Sequence, residues 1–147
     1  MKLTTRGHYS VKALLDLSLQ PNYGPASVNA IAQRQNIPAP YLEKILIELR
    51  RKDLVVSVRG VHGGYKLKRS PGKIYIGQIL EAMGETVDAP VPHTAISEHA
   101  EDWVTHQLWQ RLHQKLSEAI YSISLEDLYY DARSRQAVQG EGTNFIV

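Results

Sequence analysis

Three arrangements in this chain put residues where they could do chemistry. The first is VRGVHGGYKLKR, residues 58–69, where Gly60, Gly63 and Gly64 lie between Arg59 and the basic cluster Lys66, Lys68 and Arg69. Glycines beside basic residues suit a phosphate-cradling loop, because the backbone N–H groups can approach an anion closely. The spacing excludes both common nucleotide loops. A Walker-type loop needs a second glycine five residues after the first and Ser or Thr after its lysine, but Tyr65 stands five after Gly60 and Leu67 follows Lys66. A dinucleotide fingerprint needs glycine two residues on, where His62 stands. The remaining reading is a β-hairpin tip, with glycines supplying positive φ and close backbone approach, and with Arg59 and His62 projecting.

The second arrangement is Pro40, Tyr41, Glu43 and Lys44 at the start of a strongly periodic segment. Lysine can donate to guanine, glutamate can accept from cytosine N4, and tyrosine can reach a phosphate or stack. A glutamate there is also favoured simply by the helix dipole. The third is His99, His106 and His113, spaced by seven. Neighbours seven apart on a helix stand about 10.5 Å apart along its axis, too far to share one metal. A polar rung along a dimer seam explains them better, and HExxH is absent. With no cysteine there is no disulfide, thiolate nucleophile or thiolate metal ligand. No Ser-His-Asp or paired-carboxylate constellation stands out, so an enzyme is not expected. Neither is a cofactor.

These residues need positioning elements. Tyr9, Ala13, Leu14 and Leu17 mark one face of a first helix, stopped by Pro21 and Gly24-Pro25. Ser27 caps a short second helix, VNAIAQRQ, with Val28, Ile31 and Ala32 inward. Asn36 turns the chain and Ile37 tucks back. Pro40 suits the first position of a third helix, whose Leu42, Ile45, Leu46 and Leu49 sit at i, i+3, i+4 and i+7. Arg50 and Arg51 then stand on or near its exposed side. LVVSV (54–58) and YKLK (65–68) read as strands flanking the glycine tip. IGQILEAMG reads as a further short helix.

The expected fold is mainly α with a small β-hairpin wing: a winged helix-turn-helix domain over 1–83. Residues 84–101, with Pro90 and Pro92, read as a linker or sensor-like loop. A long helix follows, with Val104, Leu108, Leu112, Leu116, Ile120 and Ile123 in one stripe, then a short helix capped by Ser124. Together these fill 102–135, and 136–147 read as a flexible tail.

Charge divides along the chain. Residues 1–75 carry 13 Lys or Arg against 4 Asp or Glu, and residues 76–147 carry 4 against 11. The balances of +9 and −7 hide inside a net charge of +2. Such asymmetry is the footprint of a nucleic-acid-binding half joined to one with another duty. Without a signal-like apolar start or a membrane-length apolar run, a soluble cytoplasmic protein with no membrane partner is expected. Alternative duties are a protein-interaction module with an acidic partner, or a sensor holding a metal or small ligand through His93, Glu98, His99 or His106.

The stretches MKLTTRGHYSVKALLDL, IAQRQNIPAPYLEKILIELRRKDLVVSVRGVHGGYKL and IGQILEAMGETVDA resemble the IscR/NsrR/RirA-type winged-helix regulators, the Rrf-two family. The likeness runs to about Arg135, with SVRGVHGGYKL and THQLW its most specific parts. It implies a homodimeric bacterial transcription regulator bound to double-stranded DNA. DNA contacts are implied at Pro40, Tyr41, Glu43, Lys44, Arg50, Arg51, Arg59, Gly60, His62, Gly63, Gly64 and Tyr65. Dimer contacts are implied at Trp103, Val104, Leu108, Leu112, Leu116 and Ile120. Sensing members of the family hold an iron–sulfur cluster with three linker cysteines. Here Pro92, Glu98 (or Ser97) and Trp103 stand roughly in their places, and only His106 matches a ligand position. One histidine does not replace three thiolates. The cluster role is not carried over.

Overall fold

A computed structural model describes residues 3–85 and 99–144, the last four by backbone alone. Pro92, His93, Ser97 and Glu98 therefore lie outside the described residues, as does most of the expected linker. The chain order is α1 (Thr5–Ser18), α2 (Val28–Gln35), α3 (Ala39–Arg51), β1 (Val55–Val58), β2 (Gly64–Leu67), α4 (Ile76–Ala82), α5 (Ala100–Ser122) and α6 (Leu125–Asn144). Single 3-10 turns occupy Pro21–Tyr23 and Pro71–Lys73. The architecture is the expected winged helix, mainly α with one two-stranded antiparallel hairpin.

Local chemistry accounts for the boundaries. Thr4 caps α1 by accepting from Gly7 N–H, and Ser27 caps α2 by accepting from Ala30 N–H. Asn36 closes α2 in the left-handed region at φ 54°, returning Ile37 to the core. Helix α3 starts at Ala39, with Leu42 N–H donating to Pro38 O at 2.9 Å, so Pro40 is its second residue rather than its first. At α6, Ser124 Oγ accepts from Asp127 N–H at 3.1 Å and the Asp127 carboxylate accepts from Ser124 N–H at 2.9 Å. These reciprocal bonds form a capping box with aspartate in the usual glutamate place.

The core gathers Leu14 and Leu17 of α1, Ile31 of α2, four residues of α3, Leu54, Val55, Tyr65 and Leu67 of the wing, and Ile74 and Ile79 around α4. Leu125, wholly buried, brings the start of α6 into the same cluster. Arg133 further along α6 donates to Leu19 O at 3.2 Å. Helix α6 thus packs back on the winged-helix unit. It also runs through residues 136–144, which the sequence suggested as tail; Arg133 supports that extension by stacking on Tyr129 at 5.4 Å and donating to Gln136 at 3.0 Å.

The joint between α5 and the winged helix is hydrogen-bonded backbone. Ile76 N–H donates to Ile123 O at 2.9 Å and Leu125 N–H to Ile74 O at 2.7 Å. Tyr121 adds a bond to Glu81 at 3.0 Å, and partial desolvation of this exposed ring, followed by that bond, raises its hydroxyl pKa. At the other end of α4, the Glu85 carboxylate accepts from Thr4 Oγ1 and N–H at the positive end of α1.

Helices α1 and α2 are held by one buried carboxylate. Asp16, whose side chain is 1% exposed, accepts from Arg34 Nε at 2.9 Å, Arg34 Nη2 at 2.8 Å and Gln35 Nε2 at 2.8 Å. The hydrogen bond to Asp16 is the main cause that raises the Arg34 pKa. The two partners are not equivalent, because Arg34 is 40% exposed and can rehydrate while Asp16 cannot. Arg34→Met should therefore cost about 3 kcal/mol by stranding a buried charge, and Asp16→Asn about 1–2 kcal/mol. Urea denaturation of both variants checks the order; an equal or reversed loss would refute it.

Candidate nucleic-acid interface

The apolar stripe of α3 decides which side chains remain outside. Leu42, Leu46 and Leu49 have no exposed surface and Ile45 has 1%, so the opposite face must point to solvent. Pro40, Tyr41, Glu43, Lys44, Arg50 and Arg51 are all exposed on it. Tyr41 stands edge-on to Tyr9 of α1 at 5.7 Å and 79°, which steadies its ring near the N-terminal end of α3. Arg51 pairs with Glu48 at 2.5 Å yet keeps 67% of its side chain exposed. An exposed i,i+3 pair of this kind is weak enough to yield to a phosphate.

Arg6, from the first turn of α1, lines one groove of about 410 Å³ together with Tyr41, Lys44, Glu48 and Arg51. Sequence reasoning passed over Arg6 because it considered α1 only for its apolar face. Its signal was present: a basic residue in the opening turn of an otherwise core helix, with Lys2 four positions before it in sequence.

The hairpin is tied directly to α3, for Leu54 N–H donates to Leu49 O at 3.0 Å. Its register pairs Val55 with Leu67 and Val58 with Gly64, leaving residues 59–63 as the tip. Arg59, Gly60 and His62 are exposed there, and Val61 is 98% exposed. Lys68, of the basic cluster on the returning strand, donates to Asp53 at 2.9 Å, and that bond holds the Asp53 carboxyl below the usual carboxylate range.

Tyr65 is a correction to the expected set. It is 8% exposed and lies in the core, because the strand alternates and Tyr65 and Leu67 share its inner face. Its backbone exchanges hydrogen bonds with Ala26, both at 2.9 Å. That pairing explains Gly64, which sits at φ 144° with its Cα against the Ala26 backbone, where any Cβ would collide. At Gly63 a Cβ would strike the Val58 carbonyl. Gly60, at φ 114°, has open space around it, so only its dihedral asks for glycine.

The long helix presents a different surface. Only Ile120 of its 23 residues is buried, and within its own chain, so Ile120 is not available to a partner. Val104 (57%), Leu108 (43%) and Leu112 (49%) are exposed and Leu116 is half-buried. Trp109, 42% exposed and absent from the expected set, falls on the same side, between Leu112 and Ile120 at about 100° per residue. Trp103 is exposed too, but stands about 180° round the helix from Leu112 and so off that stripe.

Among the described residues no group of three His, Cys, Asp or Glu side chains could hold a metal, His106 included. No helix among them is long and apolar enough to cross a membrane.

The model of the Rrf2 family, described as an iron-dependent transcriptional regulator, matches residues 3–131. The chain belongs to the Rrf2 family. It is therefore a DNA-binding transcription regulator and not an enzyme. Across its full length it is 64% identical to the whole of HTH-type transcriptional regulator slr0846 of Synechocystis sp.. It is 39% identical over 137 residues to IscR of Aliivibrio salmonicida, covering 92% of this chain and 82% of that protein. Among solved structures it resembles CymR, the global cysteine regulator of B. subtilis, with a TM-score of 0.78, 32% identity, and coverage of 88% and 97% of the two chains. IscR of T. potens gives a TM-score of 0.75 at 36% identity, covering 92% and 91%. The iron in the family's description finds no thiolate here, since this Rrf2 chain has no cysteine.

The glycine geometry makes a prediction about the wing of this Rrf2 protein. Gly60→Ala should cost about 1–2 kcal/mol, its dihedral strain alone. Gly64→Ala should cost more, because it adds a clash with a backbone segment held at both of its hydrogen bonds. Thermal unfolding of the two variants would contradict this if Gly60→Ala were the more damaging.

Proposed function

We propose that the chain acts as a homodimer that binds specific double-stranded DNA through the outward face of α3 and the tip of the wing. The observation that carries this is the split of α3 into a fully buried apolar stripe and an exposed basic and aromatic face. The N-terminal half of such a helix, with Tyr41, Glu43 and Lys44, suits base edges in the major groove. Arg6, Arg50 and Arg51 suit phosphates on either side, and Arg59 and His62 suit the flanking backbone or groove. Glycines 60, 63 and 64 shape the tip that carries them. The resulting DNA-contact set is the expected one with Arg6 added and the Tyr65 side chain removed.

The dimer reading rests on α5. Val104, Leu108, Trp109 and Leu112 form an exposed apolar stripe that the described residues of its own chain do not bury. A second copy applying the same stripe would cover both, as two-fold symmetric interfaces do. The regulator would work without a cysteine-held iron–sulfur cluster, since the chain carries none of the thiolates such a cluster requires.

Two measurements test the reading. Fluorescence anisotropy with promoter DNA should show affinity falling about a thousandfold between roughly 50 and 200 mM salt if six or more phosphates are neutralised. Lys44→Ala and Arg59→Ala should each weaken binding by about 1–3 kcal/mol if they reach bases. A flat salt response would refute DNA binding through the basic face. Leu108→Glu should yield folded monomers in sedimentation equilibrium; a persistent dimer would move the interface off the α5 stripe.

A further inference from the structure

A second concave site lies away from the basic face, where α6 meets the two 3-10 turns. This cavity of about 260 Å³ is lined by Tyr23 from the first turn, Ser70 and Pro71 from the second, and Glu126, Tyr129 and Tyr130 from α6. Three of its six lining residues are tyrosines and one is a carboxylate. The rings of Tyr129 and Tyr130 meet edge-to-face at 5.3 Å and 74°. Tyr23 is carried at φ 62° directly after Asn22 at φ 56°, a conformation that bulky side chains rarely adopt. Strain of this kind concentrates at sites where a side chain is held for a purpose.

Glu126 is the informative residue. Among the described residues its carboxylate makes no ion pair and no hydrogen bond, although the chain carries 17 Lys and Arg. It lies against Gly72, where a Cβ would collide with its Oε2. The backbone is thus bare where the carboxylate rests, and this exposed carboxylate shares the cavity lining with the three tyrosines. Tyrosine faces carry negative potential and attract a cation within about 6 Å of the centroid. The chain already uses this property nearby: the Arg133 guanidinium sits 5.4 Å from the Tyr129 centroid, and Arg133 is not a lining residue of the cavity.

We propose that this cavity binds a small organic cation, an alkylated ammonium on a short carbon skeleton, with the tyrosine faces enclosing the head and Glu126 balancing its charge. The volume lies just below the range of drug-sized pockets, about 300–1,000 Å³, which suits a ligand of this size. A bare metal ion would need more than one hard oxygen donor of charge, and an anion would meet Glu126. Binding would also brace α6 against the turns that follow α1 and the wing, so the site spans the seam between α6 and the winged helix. The assignment stands independently of the DNA-binding reading.

The test uses the full-length protein and choline chloride as probe, with the neutral carbon isostere of choline as control and amide NMR shifts as readout. Choline should produce saturable shifts at Tyr23, Gly72, Tyr129 and Tyr130, with the isostere binding about tenfold more weakly. Glu126→Gln should weaken choline by about tenfold without altering the fold, and Tyr130→Ala, at a position 60% exposed, should weaken it similarly. Absence of saturable shifts up to about 20 mM would overturn the proposal, as would equal binding of choline and its isostere. The isostere comparison on the unmodified chain decides the matter even if a variant fails to fold.

Discussion

Burial of Leu42, Ile45, Leu46 and Leu49 is the constraint on which the remainder of this structure depends. Four residues on one side of a thirteen-residue helix are almost completely removed from water. Each such side chain contributes about 1.5–3 kcal/mol, so rotating α3 about its axis would forfeit several kcal/mol at once. The orientation of Tyr41, Glu43, Lys44 and Arg51 toward solvent is therefore enforced by the core and needs no contact of its own. The wing inherits its position from the same helix through Leu54, whose side chain is buried and whose N–H bonds to Leu49.

Two polar devices complement that apolar anchor. Asp16 ties α1 to α2 by three hydrogen bonds, and the α5–α6 junction is stitched to the connection before α4 by backbone bonds. The winged helix and the C-terminal helices are consequently one packed unit, on which α5 carries an apolar stripe that the described residues leave exposed. Charge follows the same division: the basic half forms the winged helix, while the acidic half supplies α5 and α6. A negative C-terminal half favours approach of a polyanion from one side only.

Much of this was legible because the deciding signals are periodic. The α3 stripe, the Ser27 cap and the three glycines of the wing each have one local physical meaning, and the helices and hairpin follow from them. Asp16 was not legible, since a single aspartate in an apolar stretch does not reveal that Arg34 and Gln35 will reach it. Periodicity placed Ile120 in the α5 stripe but is silent on whether its own chain or a second one covers it. Tyr65 was placed among the DNA contacts with the glycine tip although its alternation with Leu67 along the strand put it on the inner face. The length of α6 was underestimated because Gly140 and Gly142 lower helix propensity by about 1 kcal/mol each, yet the helix runs through both.

The central claim is that the outward face of α3 and the wing tip together form the surface that meets DNA. Hydroxyl-radical labelling of the protein with and without promoter DNA, read by mass spectrometry, tests it most directly. The account predicts protection of Tyr41 and of Val61–His62, all exposed in the free chain, with the buried Tyr65 unlabelled in both states and Trp103 unchanged. Equal labelling of Tyr41 and His62 in the presence and absence of bound DNA would contradict it.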